Sequence, residues 1–248
     1  MSRLRDIRLA MTAFALIGAA QLTVFAASSL RDAFEELGRR FEASRPAVKV
    51  VFNFAGSQNL RTQIEHGAGA DVFASADERH LRALESAGLV EAPRVFARNE
   101  PVIAVPAGNP AQVSGLRDLP RAQRIVLGAQ EAPIGAYSLR ILDAASKLYG
   151  QDFRQAVEAR VASRELNVRQ VLAKVRLGEA DAAIVYRTDA LAARDSIEVI
   201  SIPREVNVPA EYPIATLRAA HDPAVARAFV DLALSPEGRA VLSRFGFQ

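Results

Sequence analysis

The sequence predicts an α/β fold of two lobes, each a mostly parallel sheet flanked by helices, with a ligand cleft between them. Three observations predict it. Short β-rich runs alternate with amphipathic helical patterns along the whole chain, the arrangement of βα units around parallel strands. Extended, turn-rich stretches at 101–110 (PVIAVPAGNP) and 204–215 (REVNVPAEYPIA) read as crossovers between two lobes. A hydroxyl or small residue recurs where strands pass into helices, and in a parallel sheet those junctions share the carboxyl edge at which ligands bind.

The elements follow in order. LTVFAA (22–27) is an apolar strand that runs directly into Ser28-Ser29 and a helix whose Leu30, Phe34, Leu37 and Phe41 share one face. VKVVFNFAG (48–56) is the second strand, and 57–65 a helix with Leu60 and Ile64 inward. ADVFASA (70–76) is the third, followed by the helix DERHLRALESAG, which Gly88 stops. PVIAVPAGNP begins as a strand leaving one lobe for the other, RIVLGA (124–129) is a strand, and 135–149 a helix. ELNVRQVLAKVRLGEAD is a helix capped by Asn167 with Val171, Leu172 and Val175 inward. DAAIVYR (181–187) and SIEVISIP (196–203) are strands, and 222–247 is helical, its last helix spanning 236–245. Two crossovers make the first lobe discontinuous: 21–101 with 210–248 form lobe I, and 102–209 form the inserted lobe II.

Composition narrows the chemistry. The 248 residues are 50% hydrophobic and 24% charged, enough apolar material for a substantial core. Of the formal charge of +3, Arg3, Arg5, Asp6 and Arg8 supply +2, which leaves +1 for 21–248 and no support for a nucleic-acid partner. The basic start MSRLRDIRLA, the apolar run MTAFALIGAA and the small Gly18 and Ala20 predict a secretory signal over 1–20, too short to span a bilayer. Export is therefore expected. Cysteine is absent, which excludes disulfides, thiolate metal sites and a cysteine nucleophile. H-E-x-x-H, G-x-S-x-G and the phosphate-loop pattern are missing, and GAGADV precedes a strand rather than following one, so it is no dinucleotide fingerprint. His66, His80 and His221 fall on separate elements, with His66 and His80 in the exposed phase of their helices, and surface roles are expected for all of them.

What remains is the set of strand-to-helix junctions: Ser28-Ser29, Gly56-Ser57, 132–135 (APIG) and Asn167-Val168. A helix N-terminus exposes unpaired N–H groups and roughly half a positive charge, so several converging termini form an anion site without any Lys or Arg. Each could equally be a plain helix cap, since Ser and Asn are favoured there. At any one junction the cap is the simpler reading.

TVFAASSLRDAFEELGRRFE, VVFNFAGSQNLRTQIEHGAGADVFASAD, GAYSLRILD, NVRQVLAKVRLGEADAAIVYRTDA and an ending of EYPIA through FVDLALSPEGRAVLSRFGF together resemble the molybdate-binding periplasmic proteins of molybdate ABC importers, from about Leu22 to Phe247. The resemblance implies the type II periplasmic binding protein fold and a tetrahedral oxyanion held by neutral donors. Carried over by local match, these donors are the Ser29 and Ser57 hydroxyls, the backbone N–H groups of Ile134 and Val168, and the Tyr186 hydroxyl, leaving Ser28 as a cap or spacer. It implies molybdate or tungstate as ligand, with sulfate or another tetrahedral oxyanion as the alternative, and a membrane permease as partner. Molybdenum would enter only within the oxyanion. No cofactor, no catalysed reaction, a periplasmic location and a monomer are expected.

Overall fold

The computed structural model describes residues 20–248. The expected signal over 1–20 lies outside them except for Ala20, which already pairs with Val48. The chain runs β1 (Ala20–Ala27), α1 (Arg31–Ser44), β2 (Val48–Ala55), α2 (Ser57–Glu65), β3 (Val72–Ala74), α3 (Glu78–Ser86) and β4 (Val90–Asn99). It continues with β5 (Pro101–Pro106), β6 (Ile125–Gly128), α4 (Pro133–Tyr149), α5 (Phe153–Glu158), β7 (Val161–Glu165), α6 (Val168–Arg176), β8 (Ala182–Tyr186), α7 (Arg187–Ala192) and β9 (Ile197–Ser201). It closes with β10 (Ala210–Leu217), α8 (Pro223–Leu234) and α9 (Pro236–Arg244).

Two sheets result, in the orders β2-β1-β3-β10-β4 and β7-β6-β8-β5-β9. Each is parallel but for one reversed strand. β10 runs antiparallel to β3 and β4, and β5 antiparallel to β8 and β9. The central strands are buried on both faces, as parallel strands require. From β1, Val24 and Ala26 pack into a core with Phe34, Phe41 and Phe229, while Phe25 faces Leu60, Leu81 and Phe73 on the other side.

Several elements differ from the sequence reading. β1 starts at Ala20, two residues early, and β3 is trimmed to Val72–Ala74. β4 was not anticipated: Pro93 and the charged Glu91, Arg94 and Arg98 mask its alternation, as befits an edge strand, and its pairing with β10 contains register shifts. The short α5, β7 and α7 also carried too few periods to be read. PVIAVP does not merely exit a lobe; it lies inside the second sheet between β8 and β9.

The two connections between the lobes run side by side. Asn207 Nδ2 donates to Pro101 O at 3.0 Å and to Glu100 Oε1 at 3.3 Å. Glu100 in turn receives Arg187 Nε at 2.8 Å, so the hinge strands are tied to each other and to the start of α7.

Candidate functional site

A small cavity lies where the carboxyl ends of both sheets face each other. Its walls are Ala27, Ser28 and Ser29 after β1; Ala55, Gly56 and Ser57 after β2; and Ala76 after β3. The second lobe contributes Ala132, Pro133 and Ile134 before α4, Asn167 and Val168 before α6, and Tyr186 at the end of β8. All five residues expected as donors therefore line one cavity, brought together from positions spread between 29 and 186. The space left is small, about 10 Å³, room for about one water molecule.

The walls contain no Lys, Arg, Asp, Glu or His. Donors supply the polarity. The 3₁₀ turn Ser28–Leu30, α2 and α4 all start without a side-chain cap, which leaves their first N–H groups unpaired by side chains. Neither Ser28 nor Ser29 caps the turn it begins, so the expectation of Ser28 as a cap is not met. In α4, Pro133 has no N–H, and Ile134 carries the first donor of the helix. In α6, Asn167 Oδ1 takes the Gln170 N–H at 3.1 Å, and the Val168 N–H at the first position faces the cavity wall free of that cap.

The hydroxyls are held differently from one another. Ser57, fully buried, accepts the Ala76 N–H at 3.0 Å through Oγ, which turns its own hydrogen away from that bond. Ser29 Oγ lies 2.9 Å from Tyr212 Oη. Tyr186 Oη is buried with no hydrogen-bond partner among the described residues, although its ring is wedged edge-on against Tyr137 and Tyr212. Burial, with the electrostatic influence of Tyr212 and Tyr137 behind it, raises the Tyr186 phenol well above its usual range and keeps it a donor.

The lobes touch around the cavity. Gln58 Nε2 donates to Leu166 O at 2.7 Å, and a Cβ on Gly56 would stand 2.3 Å from the same carbonyl. Gly56 is thus a close-approach glycine between lobes. Arg169 reaches Asp32 of α1 at 2.5 Å, and its Nε stands 2.6 Å from the fully buried Asp189, an ion contact whose alignment falls short of a hydrogen bond. Burial pushes the Asp189 carboxyl up to about 6, against the opposing pull of Arg169.

His80 corrects the sequence reading. It is only 5% exposed, and its Nε2 meets Glu131 O across the cleft at 3.0 Å, which assigns the hydrogen to Nε2 because a carbonyl only accepts. Burial lowers its pKa, so the ring is neutral at pH 7. The helical period of α3 shows only the face that packs on its own lobe, and the second lobe covers His80 from outside that pattern. His66 and His221 are exposed, as expected, with His221 beside the buried Asp71. Gln58, Asn99, Arg169 and Tyr212 are the residues that sequence reasoning left without a role. For Tyr212 a signal existed in the EYPIA segment, but its partner lies 183 positions away.

The family description "bacterial extracellular solute-binding protein" matches residues 22–248. The chain belongs to that family. Among these solute-binding proteins, the molybdate-binding protein ModA of Mycobacterium tuberculosis is 39% identical over 232 residues, covering 93% of this chain and 85% of the relative. The periplasmic molybdate-binding protein of Azotobacter vinelandii superposes with a TM-score of 0.79 at 20% identity, covering 92% of this chain and 98% of that one. The sulfate-binding protein SubI of Mycobacterium tuberculosis superposes at 0.83 with 19% identity, covering 92% and 86%. Both structural likenesses establish the two-lobed type II periplasmic binding protein fold for this solute-binding protein, and the family resemblance drawn from the motifs holds across its described residues.

Proposed function

We propose that the protein captures molybdate in the periplasm, with tungstate as a second ligand, and presents it as a monomer to the membrane permease of an ABC importer. The observation that carries this reading is the Tyr186 hydroxyl, buried and unpartnered at a cavity wall of neutral donors from both lobes. A molybdate-binding relative at 39% identity supports the choice of oxyanion.

The donor set explains how a dianion is held without a cation. Hydroxyls and N–H groups at Ser29, Ser57, Ile134, Val168 and Tyr186 can each donate, and a hydrogen bond to a charged group contributes about 1.5–3 kcal/mol. Helix N-termini add their partial positive charge. An oxyanion without protons uses every donor, whereas monohydrogen phosphate brings a proton for which the walls offer few acceptors. Because the donors come from both lobes, the ligand favours the closed arrangement by its greater affinity for it, and that arrangement is what the permease reads.

No catalysis belongs to this reading. Ser29 is engaged by Tyr212 and Ser57 by the Ala76 N–H, and among the described residues neither serine hydroxyl is hydrogen-bonded to a basic side chain that could activate it. Calorimetry with molybdate, tungstate, sulfate and monohydrogen phosphate tests the assignment. Tight molybdate and tungstate binding with weak sulfate is expected; sulfate bound as tightly as molybdate would overturn the choice of ligand.

A further inference from the structure

We propose that Tyr212 and Asn99 set the direction of the Ser29 hydroxyl, so that its hydrogen is left to donate into the cavity and the site disfavours tetrahedral anions that carry a proton. The inference rests on the oxyanion reading above and adds two positioning residues to it.

A serine hydroxyl has one hydrogen and two lone pairs, so by itself it can serve a bare oxygen or a protonated one. Its surroundings bias the choice toward donation. Asn99, only 2% exposed at the end of β4, accepts the Glu100 N–H through Oδ1 at 2.9 Å. That contact fixes the amide's orientation and turns Nδ2 toward Thr188 Oγ1 at 2.8 Å and Tyr212 Oη at 3.3 Å. Both amide hydrogens are then committed, and the Tyr212 oxygen is an acceptor. The Tyr212 hydrogen still needs a partner, and among the described residues its remaining contact is Ser29 Oγ at 2.9 Å. Tyr212 must therefore donate to Ser29.

The opposite arrangement, with Ser29 donating, would leave the phenol hydrogen of a fully buried tyrosine without an acceptor. A buried hydroxyl hydrogen left without an acceptor is costly enough to decide the direction. With Oγ accepting from Tyr212, the Ser29 hydrogen is left for the cavity that Ser29 lines. Hydrogen bonds run one way, from Asn99 through Tyr212 and Ser29 to the ligand. Asn99 also holds Thr188 of α7, which follows directly on Tyr186, so the chain that orients one ligand hydroxyl begins beside another.

A double-mutant cycle on the full chain tests this, with molybdate and, at pH 8, monohydrogen phosphate as probes. Tyr212→Phe keeps the ring that packs against Tyr186 and Phe247, and a melting curve checks that the fold is retained. The expected result is that Tyr212→Phe weakens molybdate about tenfold in the wild-type background but less than about twofold in Ser29→Ala, because the effect travels through that hydroxyl. Monohydrogen phosphate affinity should hold or improve in Tyr212→Phe, narrowing the gap between the two anions. Losses that multiply across the cycle, or equal weakening of both anions, would mean that Tyr212 acts only by packing and would overturn the proposal. Failure of the wild-type protein to bind any tetrahedral oxyanion would instead overturn the function on which it rests.

Discussion

Replacing Tyr186 by Phe should weaken ligand binding and leave the stability of the protein without ligand unchanged. The variant removes one oxygen and nothing else, since the ring stays between Tyr137 and Tyr212. That oxygen has no hydrogen-bond partner among the described residues, so its removal breaks no bond within the fold. With an oxyanion bound, the same oxygen would contribute one charge-assisted bond of about 1.5–3 kcal/mol. At 1.4 kcal/mol per factor of ten, its loss raises Kd roughly 10- to 150-fold. The loss falls on the ligand and not on the fold, which separates a ligand-facing hydroxyl from a structural one. Calorimetric titration with molybdate and thermal melts with and without it measure both. A variant that melts lower when empty yet binds molybdate unchanged would refute the reasoning, because it would show that the hydroxyl serves the fold.

Three further outcomes are expected. Gly56→Ala should cut molybdate affinity by at least about tenfold, because the added methyl would stand 2.3 Å from Leu166 O where the lobes meet; calorimetry that finds unchanged affinity would remove that steric argument. Ser57→Ala should lower both affinity, by about tenfold to a hundredfold, and stability, by about 1–3 kcal/mol, since the buried Ala76 N–H loses its acceptor; calorimetry and denaturant melts read the two losses. For Asp189 the folded-state pKa, about 6, lies above the reference value of 3.8, so protonation favours the fold and its stabilising share is lost as pH rises from about 4 through 6. The melting temperature of Asp189→Asn relative to wild type should therefore climb across that window, and a difference flat with pH would refute it.

Much of the fold is written in local pattern. Leu30, Phe34, Leu37 and Phe41 recur at helical spacing and are all buried, Leu30 just before α1 and the other three within it, and the Asn167 cap forms where its position before an apolar run predicts. The junctions that bear Ser29, Ser57, Ile134 and Val168 were legible for the same reason: each is a strand end followed by a helix start, a signal within ten residues or so of chain, whereas Tyr186 came from the family resemblance because the short α7 that follows it was not read. β4 was illegible because an edge strand needs no continuous apolar face, and α5 and β7 because one or two turns or pleats carry too little period.

Sequence by itself determined the alternating elements, the lack of cysteine chemistry and the small, neutral character of the junction residues, since these depend on neighbours along the chain. Tertiary structure decided everything that depends on partners far apart in it. It placed Ser29 against Tyr212, Gln58 against Leu166 and His80 against Glu131, and it left the Tyr186 hydroxyl buried and unpaired. A helix period reports which face packs on its own lobe. Only closing the second lobe over that face settles which polar atoms meet a partner and which are left for a ligand.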